Sequence, residues 1–154
     1  MKRVNTFFFL SLLFTALAMG GSLAHLYELP HKIRLPAQEY LIVQQIYRGW
    51  SLLGIVVFGS LISTLVLTIL VRGDLKSTFA LTLTALLCII GAQVIFWAFT
   101  FPVNQETENW TVLPKTWMQL RSRWEYSHAA GAVLNLCAFI ALILAARKPS
   151  RIPR

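Results

Sequence analysis

Charge is what this sequence has least of. Only 13% of its 154 residues are Asp, Glu, Lys or Arg, where a soluble domain carries about 25%. That scarcity excludes a water-bathed globule of ordinary surface. Repeats, linkers and low-complexity segments are absent too, so nothing divides the chain, and residues 1–154 read as one domain. Cysteine is rare. Cys88 and Cys137 both sit in apolar runs, where they pack as small apolar residues and could bridge only if their helices touched there. The net charge of +8 comes from scattered residues and forms no basic helix face or aromatic-laced patch, which excludes nucleic acid as a partner.

What is abundant is apolar surface. Hydrophobic residues make up 56% of the chain and the mean hydropathy is +0.63. Four runs reach the roughly 20 residues that a bilayer-crossing helix needs. They cover about 6–29, 50–71, 78–101 and 127–146. The fold class is therefore all-α: an integral membrane four-helix bundle with the lipid bilayer as its first partner. The short "RGDLK" connection makes the second and third spans antiparallel neighbours.

The first span has a rival reading. "MKR", then "FFFLSLLFTALA", then small residues before His25 also fit a signal peptide. Retention is favoured by the apolar run continuing to Leu29, and by the small-residue ridge of Ala16, Gly20 and Ala24.

Orientation follows from Lys and Arg. With the N-terminus inside, eight basic residues are cytoplasmic: Lys2, Arg3, Arg72, Lys76, Arg147, Lys148, Arg151 and Arg154. Six lie outside: Lys32, Arg34, Arg48, Lys115, Arg121 and Arg123. Of the acidic residues only Asp74 falls inside. The expectation is N-in and C-in in a bacterial inner membrane, with the tail "RKPSRIPR" resting on anionic headgroups.

Under that topology the end of the first span and the start of the fourth meet at one depth. His25 and Glu28 in "AHLYELP" are three apart, as are Glu125 and His128 in "RWEYSH", so each pair occupies one helix face. Ala18 and Gly21 share the face of the first pair; Gly131, Ala132 and Asn135 share that of the second. Such small-residue faces turn toward protein, and Gly21 and Gly131 should let the two helices approach closely. His25 and His128 should then lie within about 10 Å, near enough to share a ligand or a metal.

Further polar groups fall at this level. A helix can start after Pro36 and run straight into the second span, placing Gln44, Tyr47, Arg48 and Ser51 on one face. The third span offers Gln93, Trp97 and Thr100, and Pro102 should limit it just before Asn104. Arg48 and Asn104 should border the same pocket, as a fixed charge and a neutral donor.

Three chemistries fit. His25, Glu28, Glu125 and His128 can hold a single transition metal. A di-iron centre would need further carboxylates, and only Glu39 is on offer. Two facing histidines can instead ligate a haem. The plainest reading is interfacial: Glu125 pairs with Arg121 or Arg123 and Glu28 with Lys32, while Trp110, Trp117 and Trp124 anchor the aromatic belt.

"FPVN" after the third span and "WEYSH" opening the fourth resemble motifs of the anthrone-oxygenase-like family of small four-helix membrane proteins, whose overall topology also matches. The resemblance implies oxidation of a polycyclic phenol by dioxygen without a conventional cofactor, with Asn104, Trp124 and His128 lining the pocket as its catalytic residues. The family's usual Arg one turn past that His is replaced here by "AAGA". Two functions follow. One is a membrane oxidoreductase, oxygenase-like, acting on a small apolar aromatic substrate. The other is a non-catalytic subunit or small-molecule binder with a membrane complex partner.

Overall fold

The computed structural model describes residues 2–73 and 76–147. Its elements are α1 (Lys2–Lys32), α2 (Ala37–Gln44), α3 (Leu53–Leu70), α4 (Lys76–Ile95), α5 (Phe101–Glu106) and α6 (Trp117–Ala146), and no strand occurs among the described residues. Asp74 and the tail residues Lys148, Arg151 and Arg154 lie outside that range. Four stretches are long and apolar enough to cross a membrane: Lys2–Lys32, Trp50–Leu70, Lys76–Glu106 and Trp117–Ala146. The chain is thus all-α and suited to a lipid environment.

Three of these helices outrun the apolar stretches. The 31 residues of α1 extend roughly 46 Å at the α-helical rise, well beyond the ~30 Å of bilayer hydrocarbon. α1 does not stop at Leu29 but passes through Pro30 to Lys32. A proline leaves one backbone bond unmade without ending a helix at once, and the turn closes with Ile33 N–H donating to Leu29 O at 3.1 Å. α6 begins ten residues before the apolar run, so Leu120, Trp124 and Glu125 ride on it as buried residues.

Pro102 does not end its helix either. Its absent N–H leaves the carbonyl of Ala98 without the usual partner four residues on. The backbone widens into a π turn over Phe96–Thr100, and the Arg123 guanidinium donates to Ala98 O at 2.7 Å. The helical path then resumes as α5.

The expected continuous helix from Pro36 into the second span is broken. Short 3₁₀ turns occupy Gln45–Tyr47 and Trp50–Leu52. Gly49 between them has φ +85°, a left-handed conformation that glycine adopts without steric cost. This break swings Trp50 back toward α1.

α1 packs on α3 and α6, and α4 packs on α3 and α6. Small polar residues make the tightest approach. Thr15 and Ser60 hydroxyls hydrogen-bond at 2.7 Å, and a Cβ on Gly59 would stand 2.8 Å from the Phe14 ring. Gly131 plays no such part, since among the described residues nothing lies within 4 Å of where its Cβ would be. Gly21 faces Leu53 and Trp50 rather than α6. Between α1 and α6 the Asn135 amide donates to Ser22 Oγ at 3.0 Å.

The interior divides into two cores. One is purely apolar, built on Leu67, Val71, Ile89 and Leu142. The other is aromatic and gathers Tyr40, Val103, Trp110, Leu120 and Trp124. Trp110 and Trp124 are therefore buried core residues and not belt anchors. Cys88 and Cys137 are free thiols.

Candidate functional site

The polar chemistry collects beside the aromatic core, where α2 and the turn after it lie across the facing parts of α1 and α6. Running α1 through Pro30 brings Lys32 one turn past Glu28 and two past His25, on the same face. Lys32 is 3% exposed. Its ammonium donates to Tyr47 Oη at 2.6 Å and to Glu28 Oε2 at 3.3 Å. It also stands 3.4 Å from Glu125 Oε1. The faces of the Tyr47 and Trp124 rings lie 4.2 and 4.8 Å from it, a favourable arrangement for a desolvated cation.

Glu125 is 1% exposed, so its charge depends on these neighbours. Tyr40 Oη donates to Oε1 at 2.8 Å, and the Gln44 amide donates to Tyr40 Oη at 2.5 Å. Glu125 Oε2 has no hydrogen-bond partner among the described residues. Tyr47 donates to Glu28 in a short contact. Burial pushes both phenols above their ordinary range; the Glu125 charge beside Tyr40, and the bond from Tyr47 to Glu28, push the same way. Both tyrosines are therefore neutral donors at any physiological pH.

Next to this network the two imidazoles meet, with centroids 4.2 Å apart. Tyr47, Trp50 and Trp124 close around His25 at 4.6, 5.3 and 5.1 Å. His128 Nδ1 lies 2.9 Å from the Trp124 carbonyl oxygen. A carbonyl only accepts, so Nδ1 carries a hydrogen, and in the neutral ring Nε2 keeps its lone pair. His25 Nδ1 is buried with no partner among the described residues. Asn104 Oδ1 accepts from the Trp124 indole at 2.7 Å and fixes its plane.

Of the residues proposed from sequence, His25, Glu28, Gln44, Tyr47, Asn104, Trp124, Glu125 and His128 come together. Arg48 is exposed on the turn before Gly49. Trp97 is exposed and packs on Phe96 and Phe101. Gln93 is half-buried on α4 and joins none of the hydrogen bonds above. Arg121 and Arg123 do not pair with Glu125; they cap the carbonyls of Leu35 and Ala98. Comparison with protein-family models, curated proteins and solved structures finds no match.

Sequence reasoning left Tyr40 and Trp50 out of the site and read Lys32 only as an interfacial partner of Glu28. The seven-residue spacing from His25 to Lys32 was a usable signal, hidden by reading Pro30 as a terminus. Tyr40 lies four residues before Gln44 on α2. Trp50 depended on the Gly49 turn, which no periodicity announces.

The residues do not form a metal site. Among the described residues no three His, Cys, Asp or Glu side chains gather as ligands, and the cation between Glu28 and Glu125 is the Lys32 ammonium. Nor would a porphyrin fit between histidine rings 4.2 Å apart. What the cluster offers is proton chemistry: a free imidazole lone pair, a buried ammonium and neutral phenols in hydrogen-bonding series. A groove of about 490 Å³ lies beside it, lined by Gly20, Gly21, Ala24, Gly49, Trp50 and Leu53 among others. Trp50 belongs to the groove and also contacts His25.

Proposed function

We propose that this chain is a membrane oxidoreductase of the oxygenase-like kind, acting on a small apolar aromatic molecule that enters from the bilayer. In this reading the bundle is antiparallel with both termini cytoplasmic, in a bacterial inner membrane. The observation that carries it is the continuity of the Lys32–Glu28–Glu125–Tyr40–Tyr47 network with the His25–His128 pair and, through Trp50, with the apolar groove. The groove suits a flat hydrocarbon ring. His128 Nε2 accepts the phenolic proton, and Lys32 favours the phenolate electrostatically. Asn104 and Trp124 hold the imidazole in place. Dioxygen, the co-reactant and oxidant, forms a C–O bond at the electron-rich ring carbon opposite the phenolate. The hydroperoxide takes up the proton held on His128 and loses one water as its O–O bond breaks, leaving the second quinone carbonyl. One O2 thus ends as that carbonyl oxygen and one water.

A second reading rests on the contact between the imidazoles. Rings packed at 4.2 Å fill the space between the two helices, as in a non-catalytic subunit or binder. Purified protein in nanodiscs, given a hydroxyanthracene-type phenol in aerated buffer, separates the two. The enzyme reading predicts oxygen uptake with growth of quinone absorbance, both lost in His128→Ala. Binding without oxygen uptake would leave the non-catalytic reading standing.

A further inference from the structure

The faces of α2 are the reverse of those of a helix bathed in water. Its buried side is polar, with Tyr40 and Gln44 turned into the site. Its exposed side is apolar toward the C-terminal end: Ile42 is 72% exposed, and Ile46 in the following turn 69%. Val43 lies between them, also exposed. Only the first turn shows polar groups outward, through Gln38 and Glu39. The apolar line then continues through Leu52 to Ile55 and Phe58 of α3, all exposed. Soluble proteins rarely present a contiguous apolar surface of this kind.

We infer that α2 is an interfacial helix, seated obliquely in the leaflet at the His25 end, with Ile42, Val43 and Ile46 against acyl chains and Glu39 among headgroups. Lipid is the occupant because this patch is continuous with the exposed face of α3, which a membrane span presents to acyl chains. Arg48 interrupts the line at a position from which its long side chain reaches headgroup phosphates. One consequence concerns the site: Tyr40 and Gln44, on the underside of α2, lie over Glu125, so an immersed α2 shields that carboxylate from water. The inference holds whichever side of the membrane faces the cytoplasm, and it does not require the chain to be an enzyme.

Nitroxide labels placed singly at Glu39, Ile42, Ile46 and Phe58 test it, in a Cys88→Ala, Cys137→Ala background reconstituted in phosphatidylcholine vesicles. Labels at Ile42 and Ile46 should behave as at Phe58, colliding freely with oxygen and severalfold less often with a water-soluble nickel chelate than the label at Glu39. Nickel collisions at Ile46 matching those at Glu39 would place α2 in water and overturn the inference. Low collision rates with both relaxers would mean a protein cover, such as a second copy, and would overturn it equally. Ile46→Asp in the native-cysteine chain gives an independent reading. Its thermal midpoint in vesicles should fall below wild type, and an unchanged midpoint would contradict immersion.

Discussion

Among the described residues Lys32 is the only cation touching the two site carboxylates, and its loss should be felt at Glu125 first. Glu28 keeps partial access to water, with its side chain 40% exposed, whereas Glu125 has none. Lys32→Met therefore leaves a buried carboxylate uncompensated, a change that costs about 3–5 kcal/mol when one partner of a buried pair is removed. Glu125→Gln in the same chain removes that charge and should recover most of the loss, so the two substitutions are strongly non-additive. Thermal unfolding of the four species in detergent reads this directly. If Lys32→Met is no less stable than wild type, the ion pair does not hold the α1–α6 contact. The plain interfacial reading of Glu28 with Lys32 had the partner right and the environment wrong. Burial beneath Tyr47 and Trp124 makes an ordinary helix-end pair the charge centre of the site.

The helices carry two devices that can be tested separately. One is the Gly59–Phe14 approach between α3 and α1. Gly59→Leu should cost about 1–3 kcal/mol as an overpacking change, and Phe14→Ala should relieve it. Gly131→Leu should be nearly silent, because its side of α6 is open. Equal damage at both glycines, measured by thermal midpoint, would contradict this packing. The other device is the Arg123 cap on Ala98 O. Arg123→Ala should cost about 1.5–3 kcal/mol, the range for a hydrogen bond from a charged group. In a Pro102→Ala background, where residue 102 regains its N–H and can bond Ala98 itself, the same substitution should cost far less. Equal costs in both backgrounds would mean that the proline does not create the need for the cap. Such local features explain what the sequence left illegible. The spacing of apolar runs announced four helices, because length and hydropathy add up along a chain. The fates of Pro30, Pro102 and Gly49 depended on a single partner or dihedral each, and these decide where Lys32, Arg123 and Trp50 end up.

Across the whole molecule, the sequence expectation that His25 and His128 approach one another holds in the structure, although the glycines expected to allow it, Gly21 and Gly131, do not make the α1–α6 contact. The pocket's outer members were less legible: Arg48 and Trp97 share a helical face with site residues on paper, yet the Gly49 turn and the π turn carry them elsewhere. Orientation is testable independently of the site. A reporter fused after Arg154 should read cytoplasmic and one inserted at Glu108 external; the reverse labelling would put the cluster on the inner face. The most direct measurement for the account as a whole uses the chain's three histidines. With ¹⁵N-labelled histidine in nanodiscs, titration with a hydroxyanthracene-type phenol should shift the His25 and His128 side-chain resonances together, leave exposed His31 still, and lose the His128 response in His25→Ala. Independent responses of His25 and His128, or movement of His31 alone, would contradict a single shared site.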